Sequence, residues 1–285
     1  MKLLRVGTAG AERPALLDTA GTLRDLSGIV PDLDGSVLAD GTALERIRAA
    51  AAGGELPALD PAGLRTGPPV AGIGKVVCIG LNYHGHAAET GAAAPAEPVV
   101  FLKAADTVVG PEDPVLVPRG SVKTDWEVEL AIVIGRTARY LESAEEAGAH
   151  IAGYAVSNDV SEREWQIERG GTWDKGKNCE TFNPLGPWLV TADEIPDPQA
   201  LTLRTWVNGE LRQDGSTADQ IFPVAEVVCY ASRFMTLYPG DVINTGTPAG
   251  VAMGQPDPKP YLRAGDVMEL EIAGLGRQRQ ELKQA

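Results

Sequence analysis

The stretch Asp125-Trp126-Glu127-Val128-Glu129-Leu130-Ala131-Ile132-Val133-Ile134 constrains this chain more than any other. Beyond Glu129 it is apolar at every position, which suits a strand covered on both faces. Glu127 and Glu129 are two residues apart, so in a strand they project from one face. Two like charges side by side on a buried strand are costly unless something positive lies between them. A hard divalent cation held by oxygen, Mg²⁺ or Mn²⁺, meets that need. A solvated edge strand, the bland alternative, meets it equally well. Asp159 offers a third carboxylate. It follows the apolar run 151–156 and precedes Ser161, which with Glu164 predicts a helix cap.

Around this stretch the chain reads as strands and turns. Residues 75–79, 99–103, 127–134, 151–157 and 188–191 are rich in β-branched and aromatic residues. Asn208-Gly209 predicts a hairpin within 203–211, and Gly-Asp turns lead into strands at 242–245 and 267–272. Helices are fewer. Ser143 with Glu146 caps one over 143–151, and another starts near Pro223 with Val224, Val227, Val228, Ala231 and Phe234 on its core face. Residues 1–70 read as a small β-rich N-terminal domain, with strands at 3–6, 15–17 and 22–24. A helix there opens on a Thr42–Glu45 capping box and ends at Gly53-Gly54. The expectation is an α+β protein with a mixed sheet rolled around a site in a second domain, 71–285.

The charge balance removes whole classes of function. A net charge of −14 in 285 residues leaves no basic surface for nucleic acid or an anionic membrane. No apolar run approaches the roughly 18 residues of a membrane span, and the N-terminus lacks a secretory pattern. Cys78, Cys179 and Cys229 are odd in number and far apart, neither a disulfide framework nor a zinc site. A cytoplasmic location is expected.

Three further constellations carry chemistry. His86 and Glu89 follow the strand 75–79 and are three apart, so they meet across one helical turn. A carboxylate on one imidazole nitrogen raises basicity at the other and makes a general base for water; on a surface loop the same pair does nothing. His84 falls outside this pairing, and His150 reads as structural. Lys177, in a turn beside Gly176, either approaches an anionic intermediate or sits in solvent. The segment 244–250 ends a strand in a small-residue loop able to offer hydroxyl and N–H groups to a carboxylate. The alanine- and proline-rich segment 90–98 suits a mobile lid joined to the histidine pair. No glycine pattern matches a dinucleotide or P-loop fingerprint, which disfavours a nicotinamide or flavin enzyme.

Taken in order, these stretches resemble the fumarylacetoacetate hydrolase family over roughly 75–276. The matching parts are Gly80-Leu81-Asn82-Tyr83 with His86 and Glu89, Asp125 to Glu129, and Asn158-Asp159-Val160-Ser161 with Arg163 and Gln166. Gly176-Lys177, Pro184-Leu185-Gly186-Pro187, Val207-Asn208-Gly209-Glu210 and Thr245-Gly246-Thr247-Pro248 complete them. The resemblance implies a mixed β-sandwich roll, commonly a homodimer. It implies Glu127, Glu129 and Asp159 as ligands to Mg²⁺ or Mn²⁺, His86 and Glu89 as the water-activating pair, and Lys177 beside a developing oxyanion. Thr247, Arg163, Gln166 and Tyr83 would face a small oxo-acid substrate. Members acting on fumarylacetoacetate itself carry a further ligand aspartate where this chain has Asn82-Tyr83, which points to another substrate.

The implied reaction is hydrolysis of the C3–C4 bond of a 2,4-dioxo acid. Overall likeness suggests 2,4-diketo-3-deoxy-L-rhamnonate or L-fuconate, giving pyruvate and lactate; some members of this subgroup carry the label ureidoglycolate lyase. The alternatives are an oxaloacetate decarboxylase, a fumarylpyruvate or acylpyruvate hydrolase, an isomerase/decarboxylase of aromatic catabolism, and a non-catalytic oxo-acid-binding module. The intact His86–Glu89 pair favours hydrolysis, since decarboxylation needs no activated water.

Overall fold

The strand Val128–Ile134 is buried at every position, and its neighbours explain why. In the computed structural model, which describes residues 1–285, it lies deep inside a ten-stranded sheet. It pairs antiparallel with Ile151–Asn158 on one side and Val242–Asn244 on the other. Val128, Leu130, Ile132 and Ile134 point into a core shared with a second, five-stranded sheet, which includes Leu203, Leu270 and Leu282. Ala131 and Val133 point the other way, into a core with Leu33, Leu38 and Ile47 of the N-terminal segment. Both faces are therefore covered, as an all-apolar run requires. Glu127 and Glu129 share the parity of Ala131 and Val133, where that second core ends. The result is an α+β fold built from mixed sheets.

The large sheet continues through Val76–Gly80, which runs parallel to Val242–Asn244, and ends at the edge strand Val99–Lys103. On the other flank, Lys2–Val6 pairs with Leu189–Thr191, so residues 1–70 hydrogen-bond into the same sheet as the site. Asn208-Gly209 joins Thr202–Val207 to Glu210–Ser216 as the expected hairpin. The final strand Gly276–Gln284 lies outside the strands that the sequence predicts. Its inward residues are Gln278, Gln280 and Leu282, so it lacks the apolar alternation that announces a strand. The glutamines are hydrogen-bonded; Gln278 Nε2 donates to Val156 O at 2.7 Å and Gly186 O at 2.9 Å.

Several local expectations are corrected. Asp40, not Thr42 with Glu45, caps the helix Gly41–Gly53, accepting from the Thr42 N–H. Aspartate two residues upstream offers a stronger acceptor at the same place. Ser143 makes no cap bond, and its helix is only Ala144–Ala147, followed by a 3₁₀ turn holding His150. Ser161 caps nothing either: Ser161–Glu162 pairs with Thr124–Asp125, and a π-helical turn Glu164–Glu168 follows. Phe234 lies past the helix Val224–Ser232 and is 64% exposed, so it leaves the core face. The three cysteines are free thiols.

Candidate metal and acid–base centre

Three neighbouring strand ends build the centre. Glu127 immediately precedes Val128–Ile134, and the antiparallel pairing carries Asp159 beside it, with the Asp159 N–H bonded to Glu127 O at 3.0 Å. On the other side, the chain leaving Val242–Asn244 turns at Gly246, whose N–H donates to Glu129 Oε2 at 2.7 Å. Gly246 has φ +93°, and a Cβ there would lie 2.8 Å from that of Asn82, so only glycine delivers this N–H. Glu127, Glu129 and Asp159 are buried, with carboxylate oxygens within 4.8 Å of one another.

Cations surround the cluster unequally. Lys177 Nζ lies 2.6 Å from Glu127 Oε2 and 2.9 Å from Asp159 Oδ2. Arg163 reaches Glu127 Oε1 at 2.7 Å and Asp125 Oδ2 at 2.8 Å. Lys103 ion-pairs with Asp159 Oδ1 and donates to the carbonyls of Val160 and Phe182. Four buried carboxylates, counting Asp125, thus face three buried cations, and Glu129 has no cationic partner. Burial, Asp159 and Glu127 push the Glu129 carboxyl well above the usual range. For Glu127 burial also pushes upward, but Arg163 and Lys177 outweigh it and hold the group at about 2. Three hard oxygen donors with one uncompensated negative charge fit a divalent cation such as Mg²⁺ or Mn²⁺.

Lys177 reaches the triad from the turn Asp174–Lys177, which packs directly on the π-helical turn. A Cβ on Gly176 would lie 2.3 Å from Glu162 O and 2.6 Å from Gln166 Cβ, so the glycine permits this contact. The π-helical turn brings Arg163 and Gln166 to the same wall, where Gln166 Oε1 accepts from Arg163 Nη1 at 3.1 Å. Irregular helical turns of this kind recur at functional sites.

The acid–base pair faces the same space. His86 and Glu89 lie on the helix His84–Glu89, just after Val76–Gly80. His86 Nδ1 meets Glu89 Oε1 at 2.8 Å, and Glu89 Oε2 accepts the Gly250 N–H at 2.8 Å. With Nδ1 held by the carboxylate, Nε2 is left as the basic nitrogen. His86, Glu89 and the acidic triad line one cavity of about 450 Å³, together with Lys177, Arg163, Gln166 and Thr247.

Two of the residues expected at the substrate have partners within the fold. Tyr83 is fully buried outside the lining, with its hydroxyl 3.3 Å from Gln220 Nε2 and its phenol pushed well up by burial. It packs at the base of the histidine helix, as the residue that precedes it. The Thr247 hydroxyl is already committed, donating to Val128 O and accepting from Gln213 Nε2. His84 is exposed and His150 is half-buried, both outside the cavity.

Sequence reasoning missed Lys103 and the role of Asp125. A lysine ending an edge strand looks solvated, yet Lys103 is 1% exposed. Asp125 is fully buried and accepts from Arg163, Ala252 N–H and Met253 N–H. Its place beside Glu127 in the acidic run was the available signal. Lys103→Met should leave Asp159 with Lys177 as its one remaining cation and strand two carbonyls. We expect it to destabilise the protein by about 3 kcal/mol in urea unfolding, as when one partner leaves a buried pair. Unfolding at the wild-type midpoint would refute that role.

Sequence comparison places this geometry among known proteins. The profile of the fumarylacetoacetate (FAA) hydrolase C-terminal region matches residues 75–283. A "putative hydrolase" of Burkholderia orbicola (strain AU 1054) is 52% identical over 292 residues, covering 100% of both chains. The maleylpyruvate hydrolase of Sphingobium sp. SYK-6, solved with manganese(II) and pyruvate, is 30% identical, with TM-score 0.82 and 100% of both chains covered. The 2-hydroxyhepta-2,4-diene-1,7-dioate isomerase of Mycobacterium marinum is 33% identical, with TM-score 0.76, covering 100% of this chain and 98% of that one. The matched profile spans the triad, the histidine pair and both sheets' central strands, and this chain belongs to the fumarylacetoacetate hydrolase family.

Proposed function

We propose that this protein is a divalent-metal-dependent hydrolase that cleaves the C3–C4 bond of a small 2,4-dioxo acid. The observation carrying the reading is that a carboxylate triad short of one cation and a His–Glu pair share one cavity. Glu127, Glu129 and Asp159 would hold Mg²⁺ or Mn²⁺, which supplies Lewis-acid polarisation and a template for the oxo-acid end. The manganese in the Sphingobium relative supports this assignment.

The chain's own groups do the rest. His86 Nε2 takes a proton from water while Glu89 holds Nδ1 and steadies the imidazolium that forms. The water oxygen bonds to C4, and Lys177 lies beside the oxyanion that develops there. The C3–C4 bond then breaks, its electron pair passing to C3. Return of the proton from the His86 imidazolium to C3 gives pyruvate, and the former C4 leaves as a carboxylic acid. Arg163 and Gln166 position the substrate.

The test is pyruvate release in Mg²⁺, in Mn²⁺ and in EDTA. The panel holds 2,4-diketo-3-deoxy-L-rhamnonate and L-fuconate, acylpyruvates, fumarylpyruvate and oxaloacetate. Metal-dependent release from a dioxo acid well above the rest is expected. Turnover of oxaloacetate alone would sink the hydrolase reading in favour of decarboxylation. Binding without turnover would leave an oxo-acid-binding module. The isomerase relative favours one further reading, in which the His86–Glu89 pair moves a proton between carbons without water; ultraviolet scans for diene isomerisation distinguish it.

Two further proposals accompany this one. The segment 90–98 closes over the cavity, so proteolysis there should slow at least several-fold when oxalate and Mg²⁺ are added; an unchanged cleavage rate would count against a lid. The protein acts as a homodimer, which sedimentation velocity measures. No helix is long and apolar enough to cross a membrane.

A further inference from the structure

Resting on the oxo-acid reading above, we infer that Lys259 reads a second negative charge at the far end of the substrate, so that the acyl tail beyond C4 carries a carboxylate. The argument starts from the cations around the cavity. Arg163 and Lys177 both line it, and both are ion-paired with the acidic cluster. Lys259 also lines it, is half-buried, and has no carboxylate partner. Its Nζ donates instead to two backbone carbonyls, Met253 O at 2.5 Å and Gln255 O at 2.8 Å. An ammonium carries three donors, so one remains for a ligand.

The lysine is not a loose surface group. The carbonyls that hold it belong to the 3₁₀ turn Ala252–Gly254 and to the residue that follows it. That turn is pinned by Asp125, which accepts the Ala252 N–H at 2.7 Å and the Met253 N–H at 3.0 Å. Asp125 in turn holds Arg163, and Arg163 holds Glu127. One chain of bonds therefore fixes Lys259 relative to the triad. A substrate anchored by its oxo-acid end at the triad would meet an anchored, unneutralised cation elsewhere in the same cavity. A hydroxyl-bearing tail would leave that charge uncompensated, whereas a carboxylate completes it with a charge-assisted hydrogen bond.

Binding of ligands that cannot turn over tests this directly. Isothermal titration of the Mn²⁺-loaded protein would compare 2-oxoadipate with 2-oxohexanoate, matched in length but charged or neutral at the tail, with oxalate as a reference. The expected preference for 2-oxoadipate is about 10–100-fold, the range of one hydrogen bond to a charged group. Lys259→Met should bring that ratio close to one, and Lys259→Arg should restore it, which a merely structural lysine would not explain. A wild-type ratio near one, or a ratio preserved in Lys259→Met, overturns the inference while leaving the oxo-acid reading intact. If Mn²⁺ binds but neither oxo acid nor oxalate does, the oxo-acid reading fails and this inference fails with it.

Discussion

Glu129→Gln is expected to weaken Mn²⁺ binding at least 100-fold, to cut turnover by about 10³-fold or more, and yet to stabilise the metal-free protein. Loss of an outer-shell partner alone costs about 10–100-fold in metal affinity, so loss of a ligand charge sets a higher floor. The opposite sign for stability follows from the neighbours. Glu129 is buried beside Glu127 and Asp159 with one backbone N–H and no cation, and its carboxyl is held well above the ordinary range. A group whose folded pKa is raised contributes stability below its unfolded pKa of about 4.3 and loses it as pH climbs. In EDTA the wild type should therefore weaken between pH 5 and pH 8 relative to the glutamine variant, which keeps an acceptor for Gly246. The gap at pH 8 should be on the order of 1 kcal/mol, about 2–4 °C in Tm. Calorimetry in EDTA and titration with Mn²⁺ read the two halves independently. Undiminished Mn²⁺ affinity would remove Glu129 from the ligand set, and a gap that does not widen with pH would mean its charge is compensated by some other group.

The second large effect concerns His86. Replacing it with alanine should lower kcat by about 10²–10⁴-fold, the usual worth of a positioned general base. Mn²⁺ and oxalate should still bind, because the imidazole is assigned no ligand role. The split matters more than the loss: a variant that loses metal and activity together would make His86 part of the metal site, and unchanged turnover would end its role as base. Glu89→Gln should act in the same direction. Its carboxylate also receives the Gly250 N–H, so that variant tests tautomer control and loop anchoring at once.

How far the sequence alone leads depends on whether a residue's task shows in local periodicity. Glu127 and Glu129 were legible because a two-residue spacing in a strand puts side chains on one face whatever surrounds it. His86 and Glu89 were legible for the same reason on a helix. Asp159 followed from its place at a strand end, although the helix cap expected after it is a short strand and a π-helical turn. Lys103 was illegible, since nothing local separates a lysine reaching into a carboxylate cluster from one reaching into water. The strand Gly276–Gln284 hid because two of its three buried side chains are amides satisfied by distant carbonyls, which no window of neighbouring residues reveals. Asp40 displaced the Thr42 cap by being a better acceptor two positions earlier.

The opposed parities along residues 127–134 bear on which genetic changes this gene tolerates. Point substitutions there act one side chain at a time and have graded effects. Deleting a single codon between Glu129 and Ala131 would instead rotate everything upstream by half a pleat, driving both carboxylates toward the apolar layer and Val128 toward the cavity. Sequence drift in this segment should proceed by exchange of residues at constant length, with insertions and deletions confined to the turns that flank it.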